Sequence, residues 1–216
     1  MRYHPPASAA PLLLTPVDSE APARMQRLRV LGLGERPEPT LDAFADRLAE
    51  VTGAPYAMVN FIDENRQFFA GLHVPGGRHT GIGRGVAEAA AVTHGHGAHA
   101  VHRGVQGFHG VEGSHGVNRY MARDHGYCPH VVVRRKALVL EDVCDFPRFA
   151  GNPVVDEIGI RSYMGAPLID RTGIALGTVC VVDTEPRPWG RAGLETIKSM
   201  AAELTERIQA REDGGI

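Results

Sequence analysis

Arg161-Ser162-Tyr163-Met164-Gly165-Ala166-Pro167-Leu168-Ile169, Asp170-Arg171-Thr172-Gly173, Ile174-Ala175-Leu176-Gly177-Thr178-Val179-Cys180-Val181-Val182 is the stretch on which the fold turns. Two apolar runs of strand length flank a short turn of Asp, Thr and Gly, so it reads as two antiparallel strands joined by a hairpin. Downstream, Leu194, Ile197, Ala201, Leu204 and Ile208 recur at spacings of three and four and mark one face of an amphipathic closing helix. Upstream, Val131 to Val133 and Leu138-Val139-Leu140 are short apolar runs around the basic turn Arg134-Arg135-Lys136, and Asp145 to Pro153 reads as a loop.

The first third of the chain repeats this texture. Thr40 can cap a helix whose apolar positions are Leu41, Phe44, Leu48 and Val51, with Gly53 and Pro55 ending it. Ala57 to Ile62 reads as a strand, Asp63 to Arg66 as a turn, and Gln67 to Ala70 as the hairpin partner. A short basic helix, Arg24 to Leu31, precedes them and is stopped by Gly32, Gly34 and the prolines at 37 and 39. Helices at both ends with hairpin-linked strands between them predict an α+β domain, an antiparallel sheet covered by helices.

Two segments break the pattern. Residues 1–23 hold five prolines and no periodicity, and read as a flexible Pro/Ala-rich tail. Residues 76–123 hold 12 glycines and 7 histidines against two acidic side chains, Glu88 and Glu112. Such a stretch loses much backbone entropy on ordering and offers little apolar area in return, so it reads as an insertion. The expected organisation is one domain over 24–211, interrupted at 76–123, with a second short tail at 212–216.

Composition narrows the function. The chain has 216 residues, 23 basic and 25 acidic, for a net charge of −2, which removes the electrostatic footprint of a dedicated nucleic-acid binder. No apolar run approaches the roughly 20 residues that span a bilayer, and the start lacks a signal-peptide pattern, so no membrane partner and a cytoplasmic location are expected. Three cysteines, Cys128, Cys144 and Cys180, without CxxC spacing argue against a disulfide framework or a thiolate zinc site.

Ordered blocks carry a family resemblance. They are Phe61 to Phe69, Tyr127-Cys128-Pro129-His130, Leu138-Val139-Leu140-Glu141-Asp142, Pro147 to Pro153, Arg161 to Leu168 and Leu176 to Asp183. Together they resemble a GAF domain of the bacterial, especially actinobacterial, stand-alone or signalling type, over about residues 24–75 and 124–211. The resemblance implies a central antiparallel sheet, helices packed on one face and a ligand cavity on the other. Such domains bind small molecules, sense redox state or only dimerise. The insertion at 76–123 replaces a short connector that helps to build the cavity in this family.

Candidate chemistry follows from the same blocks. Cys128 and His130 form a possible thiol–imidazole pair, although a spacing of two brings both to one face only in a strand. With Asp142, Asn152, Arg161 and Tyr163 they make the candidate ligand-binding set. Arg161 offers a planar fork for an anion, and its alternative is an internal pair with Asp142 or Asp156. His94, His96, His99 and His102 are weak metal candidates without accompanying carboxylates or thiolates, and no cofactor is specified. Cys180, on a strand with Thr178 and Val182, reads as core.

Three functions remain open. The leading one is a non-enzymatic sensor that binds an unidentified small molecule and signals to a partner or a second copy, as a homodimer. The alternative is a redox sensor, or an enzyme resembling the free methionine-R-sulfoxide reductases, centred on Cys128 and His130. Against the enzyme stands the segment Phe149-Ala150-Gly151-Asn152, which has no cysteine where that group's catalytic one would fall. The third is a ligand-free dimerisation module that pairs through its end helices, at 24–31 and 192–211.

Overall fold

The computed structural model describes residues 15–75 and 119–214. The order of elements is α1 (Ala21–Val30), α2 (Pro39–Thr52), β1 (Tyr56–Ile62), β2 (Arg66–His73), β3 (Tyr120–Ala122), α3 (Cys128–Arg134), β4 (Leu138–Leu140), a 3-10 turn (Val143–Asp145), α4 (Pro147–Ala150), α5 (Pro153–Glu157), β5 (Ser162–Ile169), β6 (Ala175–Asp183) and α6 (Gly190–Gly214). The strands form one six-stranded antiparallel sheet in the order β3-β2-β1-β6-β5-β4, so the last strand in sequence pairs with the first at the centre.

Helix α2 buries Leu41, Phe44, Ala45, Leu48 and Ala49 and ends at Gly53, whose φ of +64° is the left-handed cap a glycine adopts without a Cβ penalty. Val51, expected on the buried face, is 56% exposed; Ala45 and Ala49 hold the face in its place. The helix lies so close to β2 that a Cβ on Gly71 would overlap the Leu41 carbonyl. Helix α6 buries Ile197, Met200, Ala201, Leu204 and Ile208, while Leu194 is only partly buried.

Alternation along the strands splits the apolar residues between two cores. Ala57, Val59, Phe61, Ala166, Leu168, Val179 and Val181 meet the face covered by α2 and α6. Met58, Ile62, Phe69, Tyr163 and Cys180 meet α3, α5 and their loops on the other. Two irregularities alter this alternation. Val59 pairs with Gly71 but Asn60 with Phe69, and Leu168 pairs with Gly177 but Ile169 with Ala175. The extra residue in each case shifts the facing of its neighbours, so Leu176 joins the helix-side core although it shares parity with Cys180.

Several boundaries differ from expectation. Val131 to Val133 lies in helix α3, because Val131 and Val132 gain complete burial there and packing overrides the β-branched preference for extended backbone. The segment Asp145 to Pro153 contains the short helix α4. Part of the expected N-terminal tail is anchored: Arg24 is fully buried, donates to the Ile62 and Ala175 carbonyls and pairs with Asp18, which also pairs with Arg123. At the end of the expected insertion, Tyr120–Ala122 is strand β3, in register with Arg66 to Phe68. Helix α6 runs through residues 212–214 of the expected second tail. Residues 76–118, with the histidine candidates His94, His96, His99 and His102, lie outside the described residues, as do residues 1–14.

Candidate functional site

The sheet face turned away from α2 and α6 carries a buried polar row. Asn60 on β1 stands directly opposite Thr178 on β6, and Met58 stands opposite Cys180 two pairs along, on the same face. Tyr163 reaches in from β5 and Gln67 from β2. Asn60, Gln67, Thr178 and Tyr163 are each 1% exposed or less. Burying polar groups on a sheet core is costly unless they are bonded, which makes the row a departure from what stability alone selects.

Part of the row is satisfied within the fold. Asn60 Nδ2 donates to Gln67 Oε1 at 2.8 Å, and Gln67 Nε2 donates to the carbonyls of Ala122 (2.9 Å) and His125 (2.6 Å), which moors β3 and the following turn. Asn60 Oδ1 and Thr178 Oγ1 have no hydrogen-bond partner.

Cys128 closes the row from above. Gly126, at a φ of +74°, turns the chain, Cys128 starts helix α3, and Pro129 follows where a missing backbone N–H costs nothing. This sets Cys128 Sγ at 3.5 Å from Cys180 Sγ and 3.4 Å from the Tyr163 hydroxyl. Gly165 makes the second contact possible, because a Cβ there would overlap the Tyr163 hydroxyl. When Cys128 ionises, the Cys180 S–H donates to it, and the Tyr163 hydroxyl adds weaker support. These donors pull the Cys128 thiol down to about 6 against burial, which pushes it up. Cys180 is held well above the ordinary thiol range, first by its hydrogen bond to Cys128 and then by burial. Burial also raises the Tyr163 phenol.

Above these groups is a cavity of about 60 Å³. Its floor includes Met58, Phe69, Tyr163 and Cys180, and its upper wall Tyr127, Cys128, Val154, Ile158 and Ile160. Room for a few waters, in mainly apolar walls, suits a small uncharged guest.

The structure divides the six candidate ligand residues. Cys128 and Tyr163 are brought together on the cavity; the other four are not among its lining. His130 is buried but stacks edge-on against Phe149 at 5.1 Å, because a helical turn sends positions 128 and 130 in different directions. Arg161 and Asp142 form a bidentate pair with each other, the internal pairing, and Asp142 also accepts from the Cys144 N–H. That guanidinium holds the Asp142 carboxyl below its usual range. Asn152 caps α5 through the Val154 N–H and ties both backbone groups of Gly126. Asn60, Gln67 and Thr178 were not singled out in the sequence; their signal is a polar side chain at an inward position of an apolar strand. Among the described residues no group of three or more His, Cys, Asp or Glu is placed to hold a metal ion.

A GAF domain family model matches residues 36–208, most of the chain. The chain belongs to the GAF domain family. GAF domains are regulatory, small-molecule-sensing modules of signalling proteins. Over 92 residues, 42% of this chain, it is 39% identical to a cyclic di-GMP phosphodiesterase of Pseudomonas aeruginosa, but the match spans only 16% of that protein. Among solved structures, the GAF domain of an Acinetobacter phosphoenolpyruvate-protein phosphotransferase is similar at a TM-score of 0.52 and 13% identity, covering 92% of this chain and 99% of that one. A free methionine-R-sulfoxide reductase of Neisseria meningitidis is similar at 0.53 and 13% identity, covering 93% and 96%. At that identity both likenesses speak for the fold alone. No helix among the described residues is long and apolar enough to cross a membrane.

Proposed function

We propose that this GAF domain is a non-enzymatic sensor whose cavity over Cys128 and Tyr163 takes a small, largely apolar molecule, with the output carried by a partner or a second copy of the chain. The observation that carries the reading is the apolar-walled cavity, lined by Gln67, Cys128 and Tyr163 among apolar side chains, on the face opposite α2 and α6. The path outward runs through the sheet to α1 and α6, which Arg27 links by bonds to Asp170 and Glu212. Val30 of α1, 68% exposed, gives a second copy an apolar contact beside that link. Three free, sparsely placed cysteines support a cytoplasmic setting.

Native mass spectrometry of the freshly purified chain, followed by a thermal-shift screen of small neutral compounds, tests the reading. A compound that raises the melting temperature of the wild type but not of Val154→Trp, which fills the cavity, supports it. If the compound stabilises both proteins equally, it binds elsewhere, and if the screen produces no shift, the sensor reading fails.

A further inference from the structure

We propose that Cys128 and Cys180 are a peroxide-responsive dithiol, closed to an intramolecular disulfide by a small hydroperoxide that enters the cavity. This goes beyond the sensor reading and needs neither a resident ligand nor a partner chain.

The geometry is a meeting of two distant segments. Cys128 opens α3 and Cys180 lies in β6, 52 residues away, yet their sulfurs are 3.5 Å apart. Closing to the S–S bond length of about 2.05 Å needs an approach of about 1.5 Å, within reach of side-chain rotation and a small shift of the first turn of a seven-residue helix. Both residues line the cavity, so an oxidant that occupies it lies beside the pair. Its apolar walls and small volume select a neutral molecule little larger than water, and hydrogen peroxide meets both conditions. Cys144, the third thiol, is exposed and lies outside the cavity.

Asymmetry assigns the order of events. Cys128 stands at a helix start with the Tyr163 hydroxyl and the Cys180 thiol beside it, whereas Cys180 sits in the middle of a strand. The Cys128 thiolate attacks one oxygen of the peroxide, the O–O bond breaks, and the departing hydroxide takes up the proton Cys128 released, leaving a sulfenic acid and one water. Cys180 sulfur then attacks the sulfenic sulfur. An S–S bond forms, the S–O bond breaks, and the hydroxide leaves as a second water with the Cys180 proton. Two thiols are oxidised and one hydroperoxide is reduced, with no further reactant.

The test treats the 216-residue chain, pre-reduced and in the Cys144→Ala background, with stoichiometric hydrogen peroxide, followed by alkylation and peptide mass spectrometry. The expected result is one cross-linked peptide pair joining Cys128 and Cys180. Cys180→Ser should lose the cross-link and trap Cys128 as a dimedone-reactive sulfenic acid, while Cys128→Ser should leave Cys180 unoxidised. Tyr163→Phe should move the pH profile of Cys128 alkylation upward, a readout that a merely structural tyrosine would leave in place. Both thiols still alkylatable after peroxide would overturn the proposal, as would oxidation of Cys128 to sulfinic acid without a bridge, or equal reactivity of Cys180 when Cys128 is absent. Failure of the ligand screen would leave these outcomes readable, so the two readings fall separately.

Discussion

The two faces of the sheet are built to different rules. Against α2 and α6 the contacts are apolar side chains of complementary size, such as Leu48, Ile197, Val179 and Val181, each fully buried. Against α3 and α5, Asn60, Gln67, Thr178, Tyr163 and two thiols share the buried layer with Met58, Phe69 and Val131. The first face stabilises mainly through apolar contact, with the buried Trp189 Nε1 as an isolated polar atom that lacks a partner. The second tolerates unpartnered oxygens and an incompletely filled space, and it is where ionisation and ligand chemistry become possible. A single sheet thus separates an apolar layer from one that carries polar side chains, thiols and a cavity, with only the thickness of the backbone between them.

The largest effect expected from breaking this division is on the helix side. Leu48→Ala removes a fully buried side chain from a close-packed layer and should cost about 2–5 kcal/mol, read by chemical denaturation, while cavity binding per folded molecule stays unchanged. Gly165→Ala acts on the other face by driving a methyl group into the Tyr163 hydroxyl. It should cost about 1–3 kcal/mol through overpacking and, by displacing a donor, raise the pH at which Cys128 alkylates. A loss of stability without that pH change would separate Tyr163 from the thiol.

Next in size is the pH dependence. A Cys128 thiol at about 6 lies below the ordinary thiol value of 9.0, so the folded state carries the thiolate in a window where the unfolded chain does not. That contribution is fully present above about 9 and fades as the pH falls towards 6. Cys180, held above 9.0, works the other way: stability falls as the pH rises past the unfolded thiol value. Denaturation midpoints should therefore climb between the two pH values and then decline, and Cys128→Ser should flatten the climb. The smallest effect belongs to Arg161→Ala. Its side chain is 39% exposed and paired with Asp142, so the loss should be about 0–1 kcal/mol, with ligand binding in the cavity unaltered. A large loss of binding would return Arg161 to the ligand set.

Much of the fold was legible because it is local. The Asp63–Arg66 turn closes through the Asp63 carboxylate, which accepts from the Asn65 and Arg66 N–H groups at 2.7 Å each, and such a turn is encoded in four adjacent residues. Strand β3 was missed because three residues, Tyr120 to Ala122, carry too short a pattern; they are a strand only through pairing with β2. Helix α3 was missed for the opposite reason. Val131 to Val133 has an extended preference of its own, and burial against the sheet outweighs it. At the site, Cys128 and Tyr163 were visible as chemical types in recognisable blocks; Cys180 is core as its strand position indicates, and only its contact with Cys128 is unwritten in the sequence.

By itself the sequence determined the alternating strands, the helical faces of α2 and α6, the hairpin turns and the family, since each is written in residues close together along the chain. Only the tertiary structure decided that Cys128 meets Cys180, that Arg161 is committed to Asp142, and that Leu176 turns to the helix side. Those outcomes depend on register, on bulges and on which segments the sheet brings into contact. A shift of one residue reverses a side chain's face, and no neighbouring residue along the chain records it.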